Sequence, residues 1–536
     1  TRKESSAASD VYKRQRIAAF VGLVAICCGV LAAPAGAAPR EDLVLAIGGE
    51  PETGFDPVLG WGAYGHPLFQ STLLARDAGL ASQPDLATHW SLSDDRLTWT
   101  VTIRTDARFS DDTPLTAQDV AFTFNTARDA AGALDLSVLE AATAVDAETV
   151  TFRLREPAIA FTEFFHTIGI VPAASYGPGY ARQPVGSGPY KLVSWSEGEQ
   201  LIVERNPLYY GPAPAFRQLT FLFTGEDGAL AATRAGAVDM ASVPGMLAGI
   251  VPEGFRRQEV RSVDNRGISL PMQAPGKTTP DGLPIGNAVT ADDAIRHAID
   301  MGIDRQILVE VALGGFGSPA TGPADGLPWG NADETVAYDA QAAARLLDEA
   351  GWQPGTDGIR VKDGLRASVP LYYPASDSTR QILSETVATL LRPLGIEMRP
   401  QGAPWSAIRR VMHSEPVMFG FGSHSPFEVY SLYHSSLAGR GYMNPTFYAN
   451  ATVDGHLDAA QAAPSMEASY PHWRAAAFDG VTGYGSRGDA AYAWLVNLTH
   501  VYLVGACLDL GETQIEPHGH GWPITAGIAG WRWTCD

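Results

Sequence analysis

The stretch from Leu97 to Ala127 decides the fold, and it reads LTWTVTIRTDARFSDDTPLTAQDVAFTFNTA. Residues Leu97–Ile103 alternate between polar and apolar side chains, which is typical of a half-buried strand. Thr116 precedes a run with helical spacing and has Asp119 three residues later, close to a capping box. The pattern therefore predicts a strand followed by a helix from Thr116 to Ala127.

Strands and helices continue to alternate on both sides of this stretch, which indicates α/β architecture. The predicted strands are Leu43–Ile47, Val150–Leu154, Leu201–Arg205, Leu219–Phe223 and Val369–Tyr373. The predicted helices are Asp227–Ala235, Ala291–Ile303, Asp339–Ala350 and Ser378–Leu391. The segment Asp264–Ala288 is rich in glycine and proline and is the best candidate for an inter-domain boundary.

The composition restricts the function classes. The 536 residues carry a formal net charge of -21, so binding to nucleic-acid phosphates is disfavoured. The length is enough for several folding units with a large core. Four cysteines do not make a disulfide scaffold or a cysteine-ligated metal array.

The first forty residues have the pattern of a targeting segment. We expect residues 1–15 to be a non-native or upstream scar and residues 16–37 to be a signal peptide, with Arg16 before an apolar run and an A-x-A exit at residues 35–37. A membrane anchor is the alternative, but the run is short for a span. Cleavage would leave Cys507 and Cys535, which could form a disulfide in an oxidising compartment.

Several motifs occur in an order that resembles one protein family. They are PDLATHW (84–90), FSDDTPLTAQDV (109–120), GSGPY (186–190), ERNPLYY (204–210), AIRHAID (294–300) and ARLLDEAGW (344–352). The chain resembles the family 5 extracellular solute-binding proteins of ABC importers, the peptide/opine/nickel-binding family. Ser110 and Asp112 stand where the family usually has His and Gly.

The resemblance implies an α/β, two-lobed periplasmic-binding-protein (Venus flytrap) fold with an extra subdomain in the first lobe. It places lobe one with the extra subdomain at residues 38–265, lobe two at 266–485 and a return to lobe one at 486–536. A solute would bind between the lobes, and the closed protein, a monomer, would dock on the permease subunits of an ABC transporter in the membrane. The protein would act in the periplasm or outside the cell, without nucleic acid and without catalysis.

The resemblance also suggests which side chains contact the ligand. Family peptide binders pair the peptide amino group with an acidic residue near a "DxDP" stretch, but here that region reads GFGSHSPFE (420–428). Glu428 could substitute for the missing residue. Aromatic and imidazole side chains in loops complete the predicted ligand-binding set, which is Trp61, Tyr64, His66, Trp405, His424, Glu428 and Tyr442.

The C-terminal region is unusual because it is rich in histidine. Imidazole is a good ligand for nickel, copper and zinc, so His500, His518 and His520 are candidate metal ligands. Some relatives import nickel as a small chelate, and a carboxylate-bearing chelator would need arginine clamps. No cofactor is required in this interpretation, and nickel would enter only as part of a bound chelate.

The ligand class stays open at this point between a short peptide and a nickel-type metal chelate. The alternative from another class is a secreted metal-dependent hydrolase that uses His500, His518 and His520 with Glu516. Against it, Glu516 and His518 are two residues apart and lie on no recognisable helix, and the sequence contains no G-x-S-x-G, H-E-x-x-H or P-loop motif. A receptor that senses a solute without transport is a third interpretation.

Overall fold

The computed structural model describes residues 40–130, 134–335, 337–519 and 521–535. The strands are β1 (Asp42–Ala46), β2 (Leu74–Arg76), β3 (Ser82–Pro84), β4 (Ala87–Leu92), β5 (Thr98–Ile103), β6 (Leu139–Ala144), β7 (Thr149–Leu154), β8 (Tyr190–Ser196), β9 (Gln200–Arg205), β10 (Gln218–Leu222), β11 (Met240–Val243), β12 (Phe255–Ser269), β13 (Lys277–Thr278), β14 (Pro284–Ile285), β15 (Gly317–Pro319), β16 (Gln353–Pro354), β17 (Arg360–Lys362), β18 (Leu365–Arg366), β19 (Ser368–Pro374), β20 (Glu397–Ala403), β21 (Val417–Phe421), β22 (Tyr492–Gly505), β23 (Leu508–Asp509) and β24 (Arg532–Trp533).

The helices are α1 (Ala117–Ala130), α2 (Phe164–Thr167), α3 (Glu226–Arg234), α4 (Asp293–Gly302), α5 (Arg305–Leu313), α6 (Ala340–Glu349), α7 (Ser378–Leu391), α8 (Trp405–Ile408), α9 (Phe427–Tyr433), α10 (Ala451–Gln461) and α11 (Met466–Ala477). Helix α7 has the bounds that the sequence predicts. Helix α1 begins one residue after Thr116, whose backbone N–H donates to Asp119 at 2.9 Å, one half of a capping box. Among the described residues, no helix is both long enough and apolar enough to cross a membrane.

One large sheet joins the two halves of the chain. Its order is β20-β19-β21-β12-β22-β11-β1-β10-β9-β8, with β15 added beside β22. The long antiparallel pair β12 and β22 forms the connection: residues 255–261 pair with residues 499–505, and residues 265–269 pair with residues 492–497. The register shifts between Arg261 and Asn265, so a bulge lies where the chain passes from one half to the other.

The bulge is filled by a segment from the end of the chain. The backbone N–H of Glu516 donates to Arg261 at 2.8 Å, and the N–H of Val263 donates to Glu516 at 2.9 Å. Two residues after Glu516 in the same segment, the N–H of His518 donates to the carbonyl of Gly422 at 2.8 Å. Residues 516–518 therefore connect the crossing strand β12 to the loop that follows β21.

The extra subdomain is a four-stranded antiparallel sheet, β4-β5-β7-β6, covered by α1. Its core is aromatic, and Phe124 contacts Phe152 with ring centroids 4.8 Å apart. Asp112 stands where the family usually has glycine and adopts a φ of 71°. A residue with left-handed backbone explains why glycine is preferred at this turn.

The second half has its own core. Buried side chains of α4, α6 and α7 pack on β19 and β20, with Trp352 and Leu383 fully buried. A second cluster packs the α10–α11 hairpin around Trp473. Two cores joined by paired strands are typical of a two-lobed protein. The residue boundaries 265/266 and 485/486 remain predictions, and strand β12 continues across the boundary at 265/266.

The C-terminus is covalently attached to lobe one. Cys507 and Cys535 form a disulfide with a Cα–Cα distance of 5.2 Å, next to the short pair β23–β24. The sequence left this pairing open. The predicted signal peptide and upstream scar lie outside the described residues.

Candidate functional site

The carboxyl ends of parallel strands in both lobes are the place where a ligand site is expected. In lobe two, β19 and β20 are parallel and are followed by α7 and α8. In lobe one, β1 is parallel to β10 and β11, and α3 follows β10. Open α/β sheets bind ligands outside the carboxyl ends of their strands, because loops and helix N-termini gather there.

Two arginines lie side by side in lobe two at this edge. Arg380 is in the first turn of α7, where Asp377 caps the helix and also pairs with the guanidinium at 3.2 Å. Arg266 comes from β12 and forms an ion pair with Asp264. A Cβ atom on Gly420 would lie 2.5 Å from Nη2 of Arg380 and 2.7 Å from Nη1 of Arg266. Glycine at this position of β21 therefore makes room for both guanidinium groups.

The paired arginines have unused hydrogen-bonding capacity. Both side chains are buried, and within the described part of the chain neither Nε–H group has an acceptor. Burial, together with the charge of Arg266, lowers the pKa of Arg380 to about 10. Two buried cations with unpaired N–H groups favour an anionic partner, and a carboxylate has the matching geometry.

An aromatic wall extends from Arg380. The guanidinium carbon of Arg380 lies 5.8 Å from the ring centroid of Trp405, at the start of α8. Trp405 stacks on Phe419 at 5.8 Å and contacts the edge of Tyr442 at 5.8 Å. Trp405 and Tyr442, both predicted from the sequence, are thus neighbours.

A network of histidines and carboxylates lies behind Arg266, at the bulge. Asp264 accepts hydrogen bonds from Nδ1 of His518 and, at 3.1 Å, from Nε2 of His500. The other ring nitrogen of His500 contacts Glu516, which also accepts from the hydroxyl of Tyr502 at 2.8 Å. The network joins β12, β22 and residues 516–518, so it fixes the strands where the lobes connect.

The charges in this network are partitioned by their contacts. Burial lowers the pKa of His500, but its two carboxylate partners outweigh burial and raise the pKa to about 9. Burial raises the pKa of Asp264, but Arg266 and the two histidines hold it well below its usual range. Burial lowers the pKa of His518. Of the two histidines, His500 is therefore the cation, and it contacts both buried carboxylates, Asp264 and Glu516.

Two of the remaining predicted ligand contacts, Tyr64 and Glu428, lie beside the network of histidines and carboxylates. Tyr64 lies against the His518 ring at 5.5 Å, and Glu428 accepts from the backbone N–H groups of Gly422 and Ser423. Burial raises the pKa of Glu428 to about 7.

Three predicted residues lie apart from the arginines. Trp61 packs in an aromatic core with Phe55 at 4.8 Å. His66 Nδ1 and His424 Nε2 are shielded from solvent without a hydrogen-bond partner in the described residues. Burial lowers the pKa of His66 to about 4 and that of His424 to about 3, so both rings are neutral. Their contact with a ligand remains a prediction.

The candidate metal ligands also remain a prediction. His500 and His518 both use ring nitrogens on carboxylates, and His520 lies outside the described residues. Within the ranges that the structure describes, no group of three or more His, Cys, Asp or Glu residues is arranged to hold a metal ion.

Sequence reasoning predicted arginine clamps for a carboxylate but did not identify which arginines. Arg266 lies in the predicted boundary segment, and Arg380 lies in a helix whose other buried residues are uncharged. A charged residue on the buried face of an amphipathic helix was the available signal for Arg380.

Two lobes with a buried arginine pair beside their junction are the architecture of a solute-binding protein, and comparisons with known proteins agree. The family model "Bacterial extracellular solute-binding proteins, family 5 Middle" matches residues 81–444. Protein XP55 of Streptomyces lividans is 37% identical over 500 residues, which is 90% of this chain and 88% of that protein. The oligopeptide-binding protein AppA of Bacillus subtilis is 25% identical over 488 residues, 82% of this chain and 87% of AppA.

The fold is also that of solved structures. NikZ from Campylobacter jejuni in complex with Ni(L-His) superposes with a TM-score of 0.80 at 21% identity, covering 92% of this chain and 100% of NikZ. The chain belongs to the family 5 bacterial extracellular solute-binding proteins. It is a solute-binding component of an ABC importer, and the predicted family, fold class and function are confirmed. Family members are non-enzymatic transport components that act outside the cytoplasm, and nothing in the comparisons supports the hydrolase alternative.

Proposed function

We propose that this protein captures a small carboxylate-bearing solute between its lobes and delivers it, as an extracytoplasmic monomer, to the permease of an ABC importer. One observation carries the proposal: Arg266 and Arg380 are buried together over Gly420, with Nε–H groups that have no acceptor in the described residues. A buried cation is costly unless an anion compensates it. Each arginine has one aspartate partner, and the unused donors are left for the solute.

The cleft can also couple binding to closure. The hydroxyl of Ser378, two residues before Arg380, donates to Glu226 at 2.5 Å, and Glu226 begins α3 of lobe one. The N-terminus of α7 therefore contacts the opposite lobe beside the proposed carboxylate position. A solute that contacts both lobes stabilises this closed arrangement over an open one.

Two solute classes fit the arginine pair. A short peptide ends in a carboxylate, as the nonapeptide bound to AppA of Bacillus subtilis does. A metal chelate such as the Ni(L-His) bound to NikZ also presents carboxylates. Either would use the same guanidinium groups, and nickel would be cargo in the second case.

Native mass spectrometry tests the proposal. Protein purified gently from a secreting host in rich medium is expected to retain a small solute, and Arg380→Gln is expected to lose it. Arg345→Gln is the matched control, because Arg345 is exposed on α6 and the substitution removes the same charge. A nickel isotope pattern would identify a chelate, and a spread of peptide masses would identify a peptide carrier.

Folding has to be shown separately. Circular dichroism melts of both variants establish that a lost solute reflects a lost contact. Retention of the same solute by a folded Arg380→Gln variant would contradict the proposed role of the arginine pair.

A further inference from the structure

We infer that the solute carries two anionic groups separated by an apolar segment, and that Arg409 receives the second one. This inference rests on the proposed function, because it takes Arg380 as the position of the first anion. It assigns a second subsite, at the outer end of the aromatic wall, and a chemical class of solute that uses both.

The geometry is a row of four side chains on one lobe. The guanidinium carbon of Arg380 lies 5.8 Å from the Trp405 ring centroid, the Trp405 and Tyr442 rings meet edge to face with centroids 5.8 Å apart, and the guanidinium carbon of Arg409 lies 5.3 Å from the Tyr442 ring centroid. Two cations therefore stand at the two ends of two consecutive aromatic rings. An apolar segment of a solute would pack against these two rings, with its charged groups at the two ends.

Arg409 is held in position without being neutralised by its nearest contact. Its Nε donates to the hydroxyl of Tyr442, which is a neutral acceptor, and this bond raises the pKa of Arg409. The guanidinium is exposed, so its other N–H groups are open to a ligand. Arg409 thus differs from Arg266 and Arg380, which each have an aspartate partner.

A carboxylate of the opposite lobe acts on this side chain. The charge of Glu52, in the loop after β1 of lobe one, contributes to the raised pKa of Arg409. Glu52 and Arg409 follow the carboxyl ends of β1 and β20, which are the edges where a ligand site is expected. A second anion of the solute would therefore meet Arg409 at the cleft mouth rather than on an outer surface.

Matched probes test the assignment. The probes are the peptides Gln-Phe-Ala and Glu-Phe-Ala, and the pair N-acetyl-phenylalanine and N-succinyl-phenylalanine, each pair differing by one carboxylate. Isothermal titration calorimetry is expected to show about five-fold tighter binding of the member with two carboxylates, the effect of one ion pair near the surface. Arg409→Gln is expected to abolish that preference and to leave binding of the member with one carboxylate unchanged.

The neighbouring Arg410 supplies the control. It is exposed on the same segment, and Arg410→Gln removes the same charge without touching Tyr442. An equal loss in Arg409→Gln and Arg410→Gln would mean a general effect of net charge and would overturn the subsite.

The outcomes separate the two proposals. Probes that bind through Arg380 with no preference for the member with two carboxylates would overturn the second subsite and keep the proposed function. Failure of all four probes to bind would overturn the assignment of the second subsite to these dicarboxylates, whereas the carboxylate-capture proposal is decided separately by whether Arg380→Gln loses the solute in native mass spectrometry.

Discussion

Replacing His500 by glutamine should remove a pH-dependent part of the stability of the lobe connection. In the folded protein His500 contacts Asp264 and Glu516, both nearly fully buried, and its pKa is raised from 6.5 to about 9. A raised histidine pKa means that the protonated form stabilises the fold. That stabilisation is complete below pH 6.5 and is lost as pH rises through 9.

The magnitude follows from the pKa shift. Each pKa unit corresponds to about 1.4 kcal/mol, so the protonated form contributes roughly 3 kcal/mol at low pH. About 2 kcal/mol of this remains at pH 7.5, and almost none remains at pH 10. Glutamine carries no charge, so His500→Gln should be less stable than the parent at pH 7.5, and the difference should fall as pH rises.

Urea unfolding at pH 7.5 and pH 10 measures this difference. His89→Gln is the control, because His89 is exposed on β4 and lacks such contacts. Burial raises the pKa of Glu428 to about 7, so its contribution to the free energy of unfolding is lost mostly as pH rises to 7.5. The stability change between pH 7.5 and pH 10 therefore contains little from Glu428. A stability difference between parent and His500→Gln that does not change with pH would refute the assignment of His500 as the shared cation.

Three further outcomes are expected. Substituting serine for Cys507 and Cys535 should lower the free energy of unfolding by roughly 3 kcal/mol, since the disulfide closes a loop with a sequence separation of 28. In calorimetric melts, adding reductant to the parent protein should lower the melting temperature as much as the double substitution does. Gly420→Ala should weaken solute binding about ten-fold by displacing the guanidinium groups, and calorimetry showing parental affinity would contradict this. Ser378→Ala should speed solute release about five-fold in stopped-flow measurements by removing the bond to Glu226, whereas an unchanged release rate would exclude a role in closure.

The elements of this fold are predictable where local signals agree. Helix α7 has an Asp377 N-cap before it and Pro393 and Gly395 after it, and it has the predicted bounds. Helix α1 and strand β5 likewise follow from capping chemistry and alternation, which depend only on residues close in sequence.

The site is less predictable because it is made by distant residues. His500 and Asp264 are 236 positions apart, and they meet only because β12 pairs with β22 around a bulge. The partner of His518 is likewise set by the segment that fills the bulge, so a histidine-rich pattern could not distinguish a metal ligand from a carboxylate partner. Arg266 and Arg380 meet over a glycine of a third strand, and no spacing in the sequence indicates that.

The two arginines differ in what they are connected to, and this difference bears on how a solute would close the cleft. Arg266 is joined through Asp264 to His500 and His518, at the strands that connect the lobes. Arg380 lies in the first turn of the helix whose first residue, Ser378, bonds to the opposite lobe. In the proposed mode of binding, one carboxylate bridges both guanidinium groups. That carboxylate would therefore contact Arg266, at the strands that connect the lobes, and Arg380, in the helix that bonds to the opposite lobe through Ser378. Such a carboxylate would bind the closed form better than the open form, and this differential affinity is what drives closure.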